Sequence, residues 1–383
     1  MKAKRLLSLP PYLFEDLDDR CRRAEAAGHD VIDLSIGDPD LPPPASLIAA
    51  LKRALERPGH HRYPPQRGTT ELKSAIQRYL ARRGGVTPAT DEILVLIGSK
   101  EGLGHLPLAV CNPGDVVLIP DPGYPVYAAA SGFAGARVTT FGLEADSGFS
   151  PRWDELTSAA TTSARLLFLN YPNNPTGATV GADTYRRALE LAKLRGTVVV
   201  NDAAYADVYF GEAPPLLCAE AGALESPTIE FFSFSKTFCA TGWRVGFAVG
   251  RRDVIEALAH FKANVDSGVF GAIQEAVAET LDTDGDDYAR AMRREFEKRR
   301  ARASGLLGKL GFECSPACAT FYVWVKVPRP FESMEYALYL LERANVLITP
   351  GRGFGEGGEG YFRIALTQSL ERIEEALHRI GRV

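Results

Sequence analysis

The chain has 383 residues, 45% of them hydrophobic and 24% charged, with a formal net charge of -4. That length exceeds one ordinary domain and implies two or three, and the nearly balanced charge gives no basis for holding nucleic acid or an anionic membrane. No apolar run in the sequence approaches the roughly 20 residues needed to cross a bilayer.

The N-terminal stretch MKAKRLLSLPPYLFEDLDDR mixes bases, prolines and acids, and reads as an extended arm leading into a helix, not as a signal peptide. Residues 12–27 carry a helical pattern ending at Gly28, and 31–36 form a short strand that runs into Gly37-Asp38-Pro39. Residues 45–57 and 70–83 are amphipathic helices, the second capped by Thr69 or Thr70. Between them Arg62-Tyr63-Pro64-Pro65 is a stiff extended segment. From Ile93 a regular alternation begins. Strands are expected at 93–97, 116–119, 137–141, 166–169, 198–200, 229–232 and 245–249, with helices from about 100, near 124–133 and over 183–194. Short apolar strands without polar alternation, separated by helices, predict an α/β unit with a mainly parallel seven-stranded sheet covered on both faces.

Helices follow at 252–262, 269–281 and 286–308, and then a mixed pattern: strand 320–326, helix 333–344, strands 346–349 and 361–365, helix 369–381. This predicts a large unit over 45–285 and a smaller α+β unit over 286–383, joined by part of the arm 1–44. Six cysteines are scattered along the chain, and only Cys314 and Cys318 lie close together. A disulfide framework or zinc site is not expected, and the cytoplasm is the default compartment. His60-His61 has no matching ligand cluster in the sequence, so no metal is expected.

In an open parallel sheet, ligands sit beyond the carboxyl ends of the strands. Five predicted strands end in Gly98-Ser99-Lys100-Glu101, Pro120-Asp121-Pro122-Gly123-Tyr124, Asn170 to Gly177, Asn201-Asp202-Ala203-Ala204-Tyr205 and Ser233-Phe234-Ser235-Lys236. Any one of these is ordinary turn chemistry; five on one edge predict a single site. Gly98-Ser99 opens a helix, where backbone N–H groups hold an anion. Ser233 and Arg244 suit phosphate. Tyr124 offers a flat ring for stacking. Asp202 suits a ring N–H⁺, Asn174 and Tyr205 a phenolic oxygen, and Lys236 a Schiff base. A flat ring bearing phosphate, a basic nitrogen, a phenol and an aldehyde is pyridoxal 5′-phosphate (PLP).

The motifs NYPNNPTG, SFSKTFCATGWRVGF and GYFRIAL together resemble the class I/II aminotransferases, fold-type I PLP-dependent enzymes, over about residues 33–379. The segments HRYPPQRGTTELKSAI, LIGSKEGLGHLPLAVCNPGDVVLIPDPGYPVY, KANVDSGVFGAIQEA and TPGRGFGEGGEGYFRIALT are similar to the LL-diaminopimelate subgroup. The resemblance implies amino-group transfer between an L-amino acid and a 2-oxo acid, with 2-oxoglutarate/glutamate as the expected pair. It implies that Lys236 carries the Schiff base and moves the proton. Asp202 would keep the pyridine nitrogen protonated, Asn174 and Tyr205 would hold its phenolic oxygen, and Tyr124 would stack on the ring. Ser99, Lys100, Ser233 and Arg244 would surround the phosphate. Tyr63 would reach the phosphate of the neighbouring subunit of a homodimer, Arg363 would clamp the substrate α-carboxylate, and Gly37 would line the substrate side.

Classical aspartate aminotransferases read a second carboxylate with an arginine from the partner subunit. Here the matching stretch, Phe261-Lys262-Ala263-Asn264-Val265, has none, which argues against that mode. Asn264, Asp266, Ser267, Arg352 and Glu101 are the candidates for reading the distal end of a diaminopimelate. Phe238-Cys239-Ala240, Gln66-Arg67 and Arg352 depart from the subgroup pattern and bear on specificity; N-succinyl-diaminopimelate, alanine and aspartate remain alternative substrates. A PLP lyase or racemase would use the same Lys236 and Asp202. A non-catalytic PLP-binding regulator would carry a DNA-binding domain, for which the N-terminus has no room. The glycine cluster 351–360 lacks a Walker or Rossmann pattern and reads as a flexible approach to Arg363.

Overall fold

The computed structural model describes residues 3–7, 13–158 and 163–383. The first helix of the reading appears as Leu13–Ala26; its expected start at residue 12 lies outside the described residues. In chain order the strands are β1 (Ile32–Asp33), β2 (Ile93–Leu96), β3 (Val116–Asp121), β4 (Arg137–Gly142), β5 (Ala164–Leu169), β6 (Val198–Asp202), β7 (Thr228–Ser233), β8 (Gly246–Gly250), β9 (Tyr322–Lys326), β10 (Val346–Leu347), β11 (Thr349–Pro350) and β12 (Tyr361–Ala365).

Seven of them form one sheet in the order β2-β8-β7-β6-β5-β3-β4. The pairs β3–β4, β3–β5, β5–β6 and β6–β7 are parallel, while β8 runs antiparallel to both β7 and β2. Alternate residues of each strand enter different cores, except in the largely exposed edge strand β4, which buries Phe141. Leu166 and Phe168 pack with Leu103, Leu106, Ile255 and Leu258 on one face, and Leu167 and Leu169 pack with Tyr185, Ala188 and Leu189 on the other. Both faces are therefore covered, which is why the strands show no polar alternation.

The reversal at β8 matters for the site. Because β7 and β8 are antiparallel neighbours, with Ser233 opposite Gly246, no crossover helix separates them. Residues 234–245 only turn the chain around, and the four-residue helix Phe234–Thr237 in that turn carries Lys236.

A second sheet, β11-β12-β9, is antiparallel, and β1 pairs in parallel with β10 through Ile32–Val346 and Asp33–Leu347. Two expected strands are shortened or divided. Thr320 has φ +65°, outside the extended region, so β9 begins only at Tyr322. The expected strand 346–349 divides because its first half pairs with β1 and its second with β12. The 25-residue helix Gly285–Lys309 buries Met292, Phe296, Ala303 and Leu307 in the core that also holds Ile32, Leu34, Val346, Phe362 and Ile364.

Candidate active site

A cavity of about 470 Å³ opens at the carboxyl ends of β5, β6 and β7, and is closed from the other side by residues 35–37 and by β9 and β12. Gly37, Ser99, Lys100, Tyr124, Asn174, Asp202, Tyr205, Ser233, Lys236, Arg244 and Arg363 all line it. Tyr63 does not: it is 89% exposed on the same chain.

Each wall follows from local sequence. Gly98 sits at φ +74°, which lets β2 turn directly into the helix Ser99–Val110. A Cβ on Gly98 would lie 2.4 Å from Arg244 Nη2, so the guanidinium rests against bare backbone. Arg244 Nη1 donates to the Thr241 carbonyl at 3.0 Å and to Ser235 Oγ at 3.4 Å. Buried Ser99, Ser233 and Ser235 complete a cup of N–H, hydroxyl and guanidinium donors. That donor set and the helix N-terminus suit a phosphate.

Asp202, the last residue of β6, is buried on the cavity floor. Its Oδ2 accepts from Tyr127 Oη at 2.8 Å and its Oδ1 from the Ala204 N–H at 3.2 Å. Burial pushes its carboxyl up to about 6, against these two hydrogen bonds. Its side-chain partners are thus a hydroxyl and an N–H, with no arginine or lysine acting on it among the described residues. A buried carboxylate in that condition is costly until a cation arrives. Opposite it, Lys236 Nζ donates to the Gly37 carbonyl at 2.7 Å and stands 5.6 Å from the Phe321 ring. Burial brings the Lys236 ammonium down to about 8, Asp38 works the other way, and Arg244 and Arg363 add to the lowering.

The substrate-facing wall is built from distant parts of the chain. Arg363, on β12, is buried; its Nη1 donates to Asn174 Oδ1 at 2.8 Å and its Nη2 to the Ser35 carbonyl at 2.6 Å. Its guanidinium lies 4.0 Å from the Tyr322 ring centre and 4.9 Å from that of Phe354. Its Nε is buried without a hydrogen-bond partner. Tyr205 Oη and Tyr322 Oη are 2.8 Å apart, and burial raises the Tyr205 hydroxyl far above its ordinary range. A Cβ on Gly37 would fall 1.9 Å from Tyr322 Oη, so any side chain here would have to displace the Tyr322 hydroxyl.

Tyr127, Tyr322, Ser35 and Phe354 escaped the sequence reading. Tyr127 had a signal: it stands three residues after Tyr124, so one helical turn brings both toward the same side. Tyr322, Ser35 and Phe354 had none, because they enter through β9, the N-terminal segment and the turn after β11. The glycine cluster also differs from the flexible approach expected. Gly351 and Gly358 are in such close backbone contact that a Cβ on Gly351 would lie 2.0 Å from the Gly358 carbonyl oxygen. The cluster is anchored to the large sheet, with the Gly357 N–H donating to Asp121 Oδ1 at 2.8 Å and the Gly123 N–H to the Phe354 carbonyl at 2.7 Å.

Four of the five candidate distal readers are engaged within the chain. Glu101 and Asp266 both accept from Lys262, Asn264 Nδ2 donates to the His260 carbonyl at 2.8 Å, and Arg352 pairs with Glu356 at 2.7 Å. His60 meets Glu275 at 2.7 Å and His61 the Leu55 carbonyl at 3.0 Å.

Comparison with known proteins agrees along the whole chain. The family model for aminotransferase class I and II matches residues 29–380. The chain is 44% identical over 383 residues to an LL-diaminopimelate aminotransferase of Nitratidesulfovibrio vulgaris, covering 99% of this chain and 98% of the relative. Among solved structures, apo-BacF from Bacillus subtilis superposes with a TM-score of 0.95 at 35% identity, covering 100% of this chain and 98% of that one. A probable N-succinyldiaminopimelate aminotransferase from Thermus thermophilus gives 0.91 at 34% identity, covering 96% of this chain and 99% of that one. With a family match over nearly all of its length and full-length relatives well above 30% identity, the chain belongs to the class I and II aminotransferases.

Proposed function

We propose that this aminotransferase uses PLP and acts on LL-diaminopimelate, with 2-oxoglutarate as the amino acceptor. The observation that carries the cofactor reading is the unpaired, buried Asp202 carboxylate on the floor of a cavity that also holds Lys236 and a phosphate-type donor cup. When bound, PLP supplies an aldehyde carbon and an electron-withdrawing ring that stabilises negative charge at the substrate Cα.

The chain's own residues do the rest. Asp202, held in place by Tyr127, pairs with the ring N–H⁺. Asn174 and Tyr205 hold the phenolic oxygen and Tyr124 covers a ring face. Ser99, Ser233, Arg244 and the backbone at Lys100 hold the phosphate, and Ser235 supports Arg244. Arg363 is pre-stacked on Tyr322 and Phe354 and receives the α-carboxylate in a two-pronged contact. Lys236, whose ammonium burial brings down to about 8, supplies as free amine the base that takes the proton from the substrate Cα. Gly37 allows Tyr322 and Lys236 to approach the substrate side closely. We take 45–285 as the cofactor-binding unit and 286–383, with part of 1–44, as the unit that brings Arg363. We further propose a homodimer in the cytoplasm, in which the exposed Tyr63 of one copy completes the phosphate site of the other.

The identity to the diaminopimelate relatives supports the substrate assignment. A coupled assay with LL-diaminopimelate and 2-oxoglutarate tests it; turnover no faster than with aspartate or alanine overturns it. One observation favours a second reading. Four of the five candidate distal readers already have partners in this chain, which suits an amino donor without a polar far end, such as alanine. The same assay with that substrate separates the two.

A further inference from the structure

Outside the cavity, two lysines are buried among the described residues, Lys73, which donates to the Thr90 carbonyl, and the more deeply enclosed Lys262. Lys262, at the end of the helix Arg252–Ala263, has a side chain only 1% exposed. Its Nζ donates to Glu101 at 3.1 and 3.2 Å and to Asp266 Oδ1 at 2.5 Å. Each carboxylate reaches onward to backbone. Glu101 Oε2 accepts from the Ile97 N–H at 2.5 Å, just before the Gly98-Ser99 turn. Asp266 Oδ1 accepts from the Gly268 N–H at 2.9 Å, inside the loop that follows the helix. Burial works to raise the Asp266 carboxyl, but the Lys262 ammonium and the Gly268 N–H hold it below its usual range.

The same carboxylates and His105 bring ligand atoms within 4.8 Å of one another, an arrangement that invites a metal reading. The Lys262 ammonium already supplies a cation between the two carboxylates, at hydrogen-bond distance from both. A divalent ion there would meet a fixed positive charge in a poorly hydrated site, which is strongly unfavourable.

A buried charge triad is weak evidence of stability, since apolar residues often pack the same space as well or better. What it does provide is directional connection between two backbone segments that share no sheet ladder. We propose that Lys262 is a positioning residue for cofactor binding: through Glu101 it fixes the turn Ile97-Gly98-Ser99 that presents backbone donors to the phosphate, and through Asp266 it locks that turn to the 264–268 loop. The inference rests on the reading of that turn as the phosphate site. Without the ammonium, Glu101 and Asp266 face each other as partly buried like charges, Glu101 leaves the Ile97 N–H, and the donors at Gly98 and Ser99 lose their fixed aim. Pre-aimed donors bind more tightly because ordering them costs nothing at the moment of binding.

The test is PLP binding to the apoprotein, read by the absorbance change on titration, for wild type and Lys262→Met. We expect the dissociation constant to rise at least about ten-fold, with kcat at saturating PLP largely retained, because no group in contact with the reacting atoms has changed. Amide hydrogen exchange on the same apoproteins should quicken in residues 97–101 and 264–268 and stay unchanged in β6. Equal PLP affinity with unchanged exchange at 97–101 overturns the proposal, as does a uniform rise in exchange across the molecule, which marks general destabilisation. If the single variant does not fold, Lys262→Met/Asp266→Asn removes one of the two stranded charges and must show the same loosening at 97–101 for the proposal to stand. Absence of PLP binding by the wild type is a different result: it overturns the cofactor reading itself.

Discussion

Lys236 and Lys262 are both held within the protein, and their surroundings are opposite. Lys262 carries its own counter-charges, two carboxylates at hydrogen-bond distance. Lys236 has a neutral carbonyl as its hydrogen-bond partner, with Asp38 aiding it only through space and two arginines opposing it, and its ammonium is brought down to about 8. The contrast extends to the acids. Asp266 is paired, whereas Asp202 on the cavity floor has only hydroxyl and N–H partners and is pushed up to about 6. Arg363 follows the second pattern, with a buried Nε left open. Lys262 and its two carboxylates neutralise one another within the chain, whereas Lys236, Asp202 and Arg363 at the cavity are held by neutral groups and leave their charges for a ligand to complete. The energy withheld from folding at these positions is available for binding and chemistry.

The largest test of this contrast is a pair of substitutions. Lys236→Ala should cut turnover at least about 10⁴-fold, the upper end of what a positioned proton-transfer group supplies, and should remove the absorbance near the visible edge that PLP gives when joined to a lysine. Lys262→Met at saturating PLP should keep that absorbance and most of kcat. Similar losses of kcat in both variants would erase the distinction.

Asp202→Asn comes next. It keeps the shape but loses the charge that a ring cation needs, and kcat should fall about 10²- to 10³-fold, as when one electrostatic stabiliser is removed. Steady-state kinetics at saturating PLP measure this, and an unchanged kcat would mean that Asp202 is buried for structure alone. Arg363→Lys keeps the charge and loses the two-pronged geometry. KM for the amino acid should rise about 10- to 100-fold, the equivalent of one charged hydrogen bond at about 1.5–3 kcal/mol.

The smallest effect is on stability against pH. The Lys236 ammonium titrates near 8 in the folded apoprotein and higher when unfolded, so between those values the unfolded chain binds more protons. Its contribution penalises folding below about pH 8, and the penalty is relieved as pH rises toward the ordinary lysine range. The Tm of the apoprotein relative to Lys236→Met should therefore climb over that window. Asp202 runs the other way: with a folded value near 6, its penalty is full above that pH and fades as pH falls toward the ordinary aspartate value. Parallel Tm profiles for wild type and Lys236→Met above pH 8 would show that Lys236 is not held depressed.

The sequence alone determined the alternation of strands and helices, and the row of polar strand ends that includes Ser99, Asn174, Asp202, Ser233 and Lys236. These signals are local: an apolar run of five residues, a glycine before a helix, a hydroxyl or carboxylate at the point where a strand stops. The family motifs added Arg363 and Gly37. Only the tertiary structure brought Tyr322 over Gly37, Tyr127 under Asp202 and the 351–360 segment onto Asp121, because those contacts join residues from different strands, or segments far apart in the chain, and leave little periodic trace. Lys262 is the clearest case. In sequence it is a basic residue at the end of an amphipathic helix, where a solvated side chain is the ordinary outcome; burial between Glu101 and Asp266 was decided by how that helix packs against Ser99–Val110.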